Sequence, residues 1–299
     1  MKRGKMSNFR FQEPKSLTAG LQDAAEDVEN VEDVEDVDTL NPEESALPAY
    51  LSSPRRRLRA AVRRFCTSPL INLLLSPEVY GKQYGEELLQ LSAASPFPGA
   101  YIVVANHSSH LDAPMLFALL PSEITARLAT GAAADYFYKN RVVAALTSLF
   151  FNTYPVKRHR QPENSAAPNS EVSNPATPNP AAPSSANKKI PGFSEQLLRA
   201  GVPILLFPEG TRSRSGKLGE FHFGAAALAQ QLEIPVLPVA MRGGRDAMPV
   251  GAKFPKLGKN PVEMHIGQPL LGQPGETAAD FTTRLKEAIA ALIDADIEG

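Results

Sequence analysis

Seven consecutive residues, Asn106-His107-Ser108-Ser109-His110-Leu111-Asp112, directly follow the apolar run 100–105. Two imidazoles, two hydroxyls and a carboxylate in so short a stretch suit several kinds of chemistry. A His–Asp pair makes a general base, in which the carboxylate fixes the tautomer and stabilises the imidazolium. His107, His110 and Asp112 also carry metal-ligating atoms. Zinc hydrolases need further ligands, however, and His159, His222 and His265 stand in no ligand cluster. A serine nucleophile at 108 or 109 lacks the G-x-S-x-G elbow, which the RSRSG at 212–216 does not satisfy. Asp112 also suits the N-cap of a helix that begins at Ala113-Pro114. Taken alone, the stretch fits a helix cap as well as a catalytic base.

A second polar turn, Phe207-Pro208-Glu209-Gly210-Thr211-Arg212, ends another apolar run. It holds a carboxylate, a flexible glycine, a hydroxyl and a guanidinium suited to bidentate phosphate recognition. Two such turns after two buried strands form the layout of one active-site edge, because ligands of open α/β sheets gather where strands end.

The elements that must position these turns are legible as alternation. Strand-like runs fall at 100–105, 125–130, 153–157, 203–207, 234–240 and 262–266, with helix-like segments at 112–120, 133–151, 191–200, 221–232 and 276–296. This pattern predicts an α/β fold, a single domain with a central mixed sheet flanked by helices. The prolines at 235 and 238 confine their strand to an edge or a bulge. Residues 161–187, with six prolines and many Ser, Asn and Ala, read as a disordered insertion.

Charge divides the chain. Residues 1–50 carry 5 Lys/Arg against 12 Asp/Glu, and residues 51–299 carry 26 against 20, so a net charge of −1 hides an acidic tail and a basic body. The tail, residues 1–50, reads as disordered; its tract 26–44 is a solvated segment or an autoinhibitory partner for the arginines that follow. Those arginines, at 55, 56, 57, 59, 63 and 64, share a helical period with Leu58, Ala61, Val62 and Phe65. Residues 51–95 therefore read as a basic amphipathic helical segment facing a membrane. Nucleic acid is the poorer partner, since no aromatic platform accompanies the charge. The single cysteine, Cys66, excludes a disulfide framework and reads as a buried or interfacial thiol. No 18-residue apolar run and no secretory signal are present, which places the chain on the cytoplasmic side of a membrane, peripherally bound.

Together the two turns carry a resemblance. Asn106-His107 followed by Asp112, and Phe207-Pro208-Glu209-Gly210-Thr211-Arg212-Ser213 about a hundred residues later, resemble the glycerophospholipid acyltransferase family, typified by 1-acylglycerol-3-phosphate acyltransferases. The strand with Pro235 and Pro238 resembles its fourth block, and the arginine of its second block is matched by Arg158. The resemblance covers about 95–270 and makes 96–299 the acyltransferase domain. It implies acyl transfer from acyl-CoA or acyl-carrier protein, as co-substrate, to a hydroxyl of a lysophospholipid, first among them 1-acylglycerol 3-phosphate. Glycerol 3-phosphate or another lysolipid is the alternative acceptor. His107 is then the general base and Asp112 its orienting partner. Arg212 and Arg158 bind the acceptor phosphate, while Glu209, Gly210 and Thr211 shape the glycerol site. Backbone N–H groups near Gly210 or the helix after Asp112 serve the oxyanion. A thioester already has a good leaving group, so neither a nucleophile, a metal nor a cofactor is required. Residues 142–151 are a candidate acyl groove. The chain departs from the family at Phe221-His222-Phe223-Gly224, where a lysine is common in place of His222. A metal-dependent hydrolase on His107, His110 and Asp112 and a catalytically silent membrane module are the readings from other classes.

Overall fold

The computed structural model describes residues 47–133, 147–156 and 192–295, apart from 214, 250, 253 and 257. The acidic tract 26–44, the insertion 161–187, Arg158 and the first half of the candidate acyl groove, 142–146, lie outside the described residues.

The described chain runs α1 (Leu47–Leu51), α2 (Ser53–Val62), a π turn (Arg63–Thr67), α3 (Ser68–Leu74), β1 (Leu75–Tyr80), α4 (Tyr84–Ala94), β2 (Ile102–Ala105), α5 (Asp112–Leu119), α6 (Ser122–Thr125) and β3 (Ala129–Ala133). It continues through β4 (Thr153–Val156), α7 (Phe193–Arg199), β5 (Ile204–Leu206), α8 (Gly224–Leu232), β6 (Val236–Arg242), α9 (Gly244–Ala247), β7 (Asn260–Ile266) and α10 (Ala278–Asp294). Seven strands make one sheet in the order β1-β7-β6-β2-β5-β3-β4. Pairing is parallel except between β6 and β7, so the expected mixed sheet flanked by helices is what forms.

Alternation along the strands supplies two cores. Val103 and Ala105 of β2, with Leu205, Leu237 and Val239, face α3, α4 and α5. Ile102 and Val104, with Ile204, Val236 and Ala240, face α7, α8 and α10. β2 is thus buried on both faces, which is why its sequence is continuously apolar rather than alternating. Each fully buried Val, Ile or Leu contributes about 1.5–3 kcal/mol.

Three details differ from expectation. The helical segment expected over 51–95 is interrupted: residues 75–80 leave it as β1 and pair with β7 in a six-residue register. Pro77 lacks a helical N–H, forces Ser76 extended and is tolerated because β1 lies at the sheet margin. Pro238 sits not on an edge but in the central β6. There the ladder to β7 is interrupted between the pair Val239↔Ile266 and the bridge Val236↔Leu270, so its missing N–H costs no bond. The strand expected at 125–130 begins only at Ala129, since Ser122–Thr125 closes a helical turn behind Pro121.

Candidate active site

The parallel pairing of β2 with β5 brings Val104 beside Leu206, so both polar turns leave the sheet at the same edge. The two turns are bonded to each other. Ser213 N donates to His107 O at 2.7 Å. His107 N donates to Glu209 Oε1 at 2.7 Å, and Gly219 N donates to Glu209 Oε2 at 2.9 Å. Glu209 is buried, and each of its oxygens accepts a backbone N–H. Its carboxylate ties three loop segments together.

His107 Nδ1 lies 2.9 Å from Asp112 Oδ2. The same oxygen accepts from Ser108 N at 2.6 Å and Ser109 N at 2.7 Å. Asp112 is fully buried and is the first residue of α5, but its side chain caps no N–H of that helix. The cap expectation fails because the carboxylate turns back to the 107–109 turn, where three donors hold it. The His107 ring is fixed on its other side by stacking on Phe207, with centroids 4.2 Å apart and planes at 22°. An imidazole held at Nδ1 by a carboxylate directs Nε2 outward as the acceptor of a proton, and the His107 side chain keeps 22% of its surface exposed.

Asn106 belongs to the site's frame though its chemistry drew no role beyond the motif. Its amide donates to Met241 O at 3.0 Å and accepts from Met241 N at 2.7 Å. It extends the β2–β6 pairing by one rung past Ala105 and delivers His107 to the edge. Ser109 Oγ donates to Met248 O at 2.8 Å and accepts from Leu111 N at 3.2 Å. It is committed to the loop after α9 and is not a nucleophile poised for attack. The close packing at Gly244 explains that loop: an added Cβ there would lie 2.9 Å from Asp112 Oδ1.

Arg212 is half-buried beside the pair, and its Nη1 meets His110 Nε2. His110 accepts as a neutral imidazole. Burial first, then the Arg212 guanidinium and the His107 ring, holds its pKa below the ordinary value against an opposite pull from Asp112. With the guanidinium on it, Nε2 of His110 is not open to a cation. Arg212 has no carboxylate partner among the described residues. Thr211 and Gly210 are exposed on the same turn. Gly210 adopts φ +66°, and a Cβ there would stand 3.1 Å from His222 Nε2, so the ring that replaces the usual lysine lies against this turn. The Gly210 N–H is spent on Phe207 O at 3.0 Å and is not free for an oxyanion.

The Acyltransferase family model matches residues 78–242, more than half of the chain, and the chain belongs to that family. Over shorter stretches it is similar to two 1-acyl-sn-glycerol-3-phosphate acyltransferases. The chloroplastic one of Brassica napus is 34% identical over 85 residues, covering 28% of this chain and 24% of that protein. The one of Pseudomonas aeruginosa is 39% identical over 71 residues, covering 23% and 28%. A lyso-ornithine lipid O-acyltransferase of the same bacterium is 38% identical over 82 residues, covering 27% and 31%. The matched stretches thus span only 24% to 31% of these relatives' lengths. The crystal structure of the 1-acyl-sn-glycerophosphate acyltransferase from Thermotoga maritima shares the fold, with a TM-score of 0.50, 18% identity, and coverage of 87% of this chain and 86% of that one.

Proposed function

We propose that the chain is an O-acyltransferase that moves a fatty acyl group from acyl-CoA or acyl-carrier protein to the hydroxyl of a lysophospholipid. The acceptor favoured is 1-acylglycerol 3-phosphate, giving phosphatidic acid. The carrying observation is His107 on Asp112 at 2.9 Å, with the cation of Arg212, which has no carboxylate partner among the described residues, on the neighbouring turn. A base next to an anion site suits a hydroxyl that is carried on a phosphorylated molecule. The relatives named for this acceptor support the reading.

In this mechanism His107 Nε2 takes the proton of the acceptor hydroxyl as its oxygen attacks the thioester carbonyl. Asp112 holds Nδ1–H and stabilises the imidazolium. The tetrahedral intermediate collapses, the C–S bond breaks and the thiol leaves with the proton from His107. No acyl-enzyme forms and no metal or cofactor takes part. Arg212 binds the acceptor phosphate, joined by Arg158, and the N-terminal end of α5 supplies positive potential for the oxyanion. Glycerol 3-phosphate or another lysolipid as acceptor uses the same machinery.

The reading includes a membrane-facing surface on the cytoplasmic side. No helix among the described residues is long and apolar enough to cross a membrane. Leu58, Phe65, Leu70 and Leu73 of the α2–α3 segment are nevertheless exposed, Phe65 at 73% and Leu73 at 70%. Cys66 is exposed between them. An apolar stripe turned outward on a basic helix is the arrangement of an interfacial helix.

Oleoyl-CoA with lysophosphatidate should release free CoA, and His107→Ala should lower the rate by ~10²–10⁴-fold. An unchanged rate in that variant removes His107 as the base. Turnover only with another acceptor in a parallel panel moves the assignment to that lipid.

A further inference from the structure

The outward turn of Leu58 and Phe65 has a counterpart on the inner face. Arg59, Arg63 and Thr67 are all buried, with exposures of 4%, 7% and 7%. Each keeps a polar atom without a hydrogen-bond partner among the described residues: Arg59 Nη2, Arg63 Nη1 and Thr67 Oγ1. No carboxylate among the described residues pairs with either arginine. Residues four apart drift around an α-helix, because its turn holds 3.6 residues. The π turn Arg63–Thr67, closed by Ser68 N on Arg63 O, holds more residues per turn and counter-rotates the chain. Thr67 therefore returns toward the row begun by Arg59 and Arg63.

Two neighbouring guanidiniums buried without a counter-charge are costly. Arg63 lies over the Phe117 ring at 5.8 Å, which satisfies its face but not its N–H groups. Burial and the Arg59 charge push Arg63 down to about 10, and burial with Arg55 lowers Arg59. Helices with many exposed arginines do not need to bury two more. Two guanidinium forks and a hydroxyl are, however, the donor set that matches the oxygens of one phosphate group.

We propose that Arg59, Arg63 and Thr67 form a phosphate-binding site, apart from the acceptor site at Arg212, that takes the headgroup phosphate of an anionic phospholipid. Leu58 and Phe65 are exposed on the opposite, outward face of the same segment, which brings the segment to a lipid surface but leaves the arginine site on its inner side. The inference does not depend on the acyl-transfer reading, and it fails or stands by binding alone.

The test uses the full-length protein and four variants: Arg59→Met/Arg63→Met, Thr67→Val, Arg212→Gln, and Arg55→Gln/Arg57→Gln on the exposed face. Thermal unfolding is read in inorganic phosphate and in chloride at equal ionic strength. Flotation is read with phosphatidylcholine vesicles, with and without phosphatidylglycerol. Phosphate should raise the wild-type midpoint by about 3 °C, and equally in the exposed pair, and the part of the response that Arg59→Met/Arg63→Met removes should persist in Arg212→Gln. Arg59→Met/Arg63→Met should lose that response, unfold at a higher midpoint than wild type in chloride, and bind phosphatidylglycerol vesicles at least ~10-fold more weakly. Should the double variant not fold, Thr67→Val carries the test, with a phosphate affinity ~5-fold lower. A response to vesicles alone assigns the site to lipid; a response to inorganic phosphate alone keeps a phosphate site but removes the lipid. Equal responses in wild type and in the double variant, for both probes, overturn the proposal.

Discussion

Glu209 and Arg63 are buried to nearly the same degree, 8% and 7% exposed, and their polar atoms meet opposite fates. Both oxygens of Glu209 accept backbone N–H groups from loops on either side. Arg63 leaves Nη1 without a partner and has a second arginine for a neighbour. The difference separates two ways of making a site. At the sheet edge, charge is spent inside the protein to hold His107 in one geometry before any substrate arrives, which is what transition-state stabilisation requires. On the inner face of α2, donors are held but unspent, which suits a ligand that brings its own charge.

The comparison breaks first at Asp112. If the edge is preorganised by charge, Asp112→Asn keeps the frame and loses the chemistry. The amide oxygen can replace Oδ2 before its three donors, and the amide nitrogen falls where Oδ1 already has no partner among the described residues. The expected result is a kcat ~10²–10⁴-fold lower, with the KM for acceptor nearly unchanged and the circular dichroism of the wild type. A kcat within threefold of wild type means that the charge of Asp112 contributes nothing.

Glu209→Gln should cost less and spread its effect differently. Glutamine keeps one acceptor but points an NH2 at the second N–H donor, leaving a buried mismatch of ~1–3 kcal/mol. Thermal unfolding should drop and kcat fall with it, because the bond that fixes the His107 backbone is weakened. If Glu209 instead lined the glycerol site, the acceptor KM would rise with the unfolding midpoint unchanged. The two readouts together decide between a tie and a substrate contact.

The His107–Asp112 contact was legible before the fold because the two are five residues apart, on a turn that follows an apolar strand. Periodicity reached β2, β5 and β6 for the same reason: both their faces are buried, so every residue reports the same environment. It failed at β1, where Ser76 and Pro77 mask a margin strand, and at Pro238, whose tolerance depends on an interruption in a partner strand. Long-range polar ties were out of reach. Nothing near Glu209 announces that its acceptors are His107 N and Gly219 N, and nothing near His110 announces Arg212, because those contacts exist only once β2 and β5 are paired. The burial of Arg59 and Arg63 was hidden for a different cause. A helical period shows which residues share a face, and the membrane-facing reading turned Leu58 and Phe65 outward, but nothing in the period announces that two of the six arginines are buried.

The smallest expected effect concerns His110, whose Nε2 meets Arg212 Nη1. His110 is exposed and its pKa is lowered, so the folded state resists the proton that an unfolded histidine takes up near its ordinary value of about 6.5. Below that pH the unfolded chain binds more protons than the folded one, and stability must fall with pH until it levels off below the folded value. Above about 6.5 the ring is neutral in both states and contributes no slope. His107, Asp112 and Arg212 are the charged or titratable groups that act on the ring. His110→Gln keeps an acceptor for Arg212 and removes the titration. Urea midpoints of the two proteins should agree at pH 8, and the wild type should lose slightly more on going to pH 5. A wild-type loss equal to that of His110→Gln shows that Arg212 does not lean on the neutral ring. A variant that also loses acceptor affinity at pH 8 shows that the ring aims the guanidinium rather than merely resting on it.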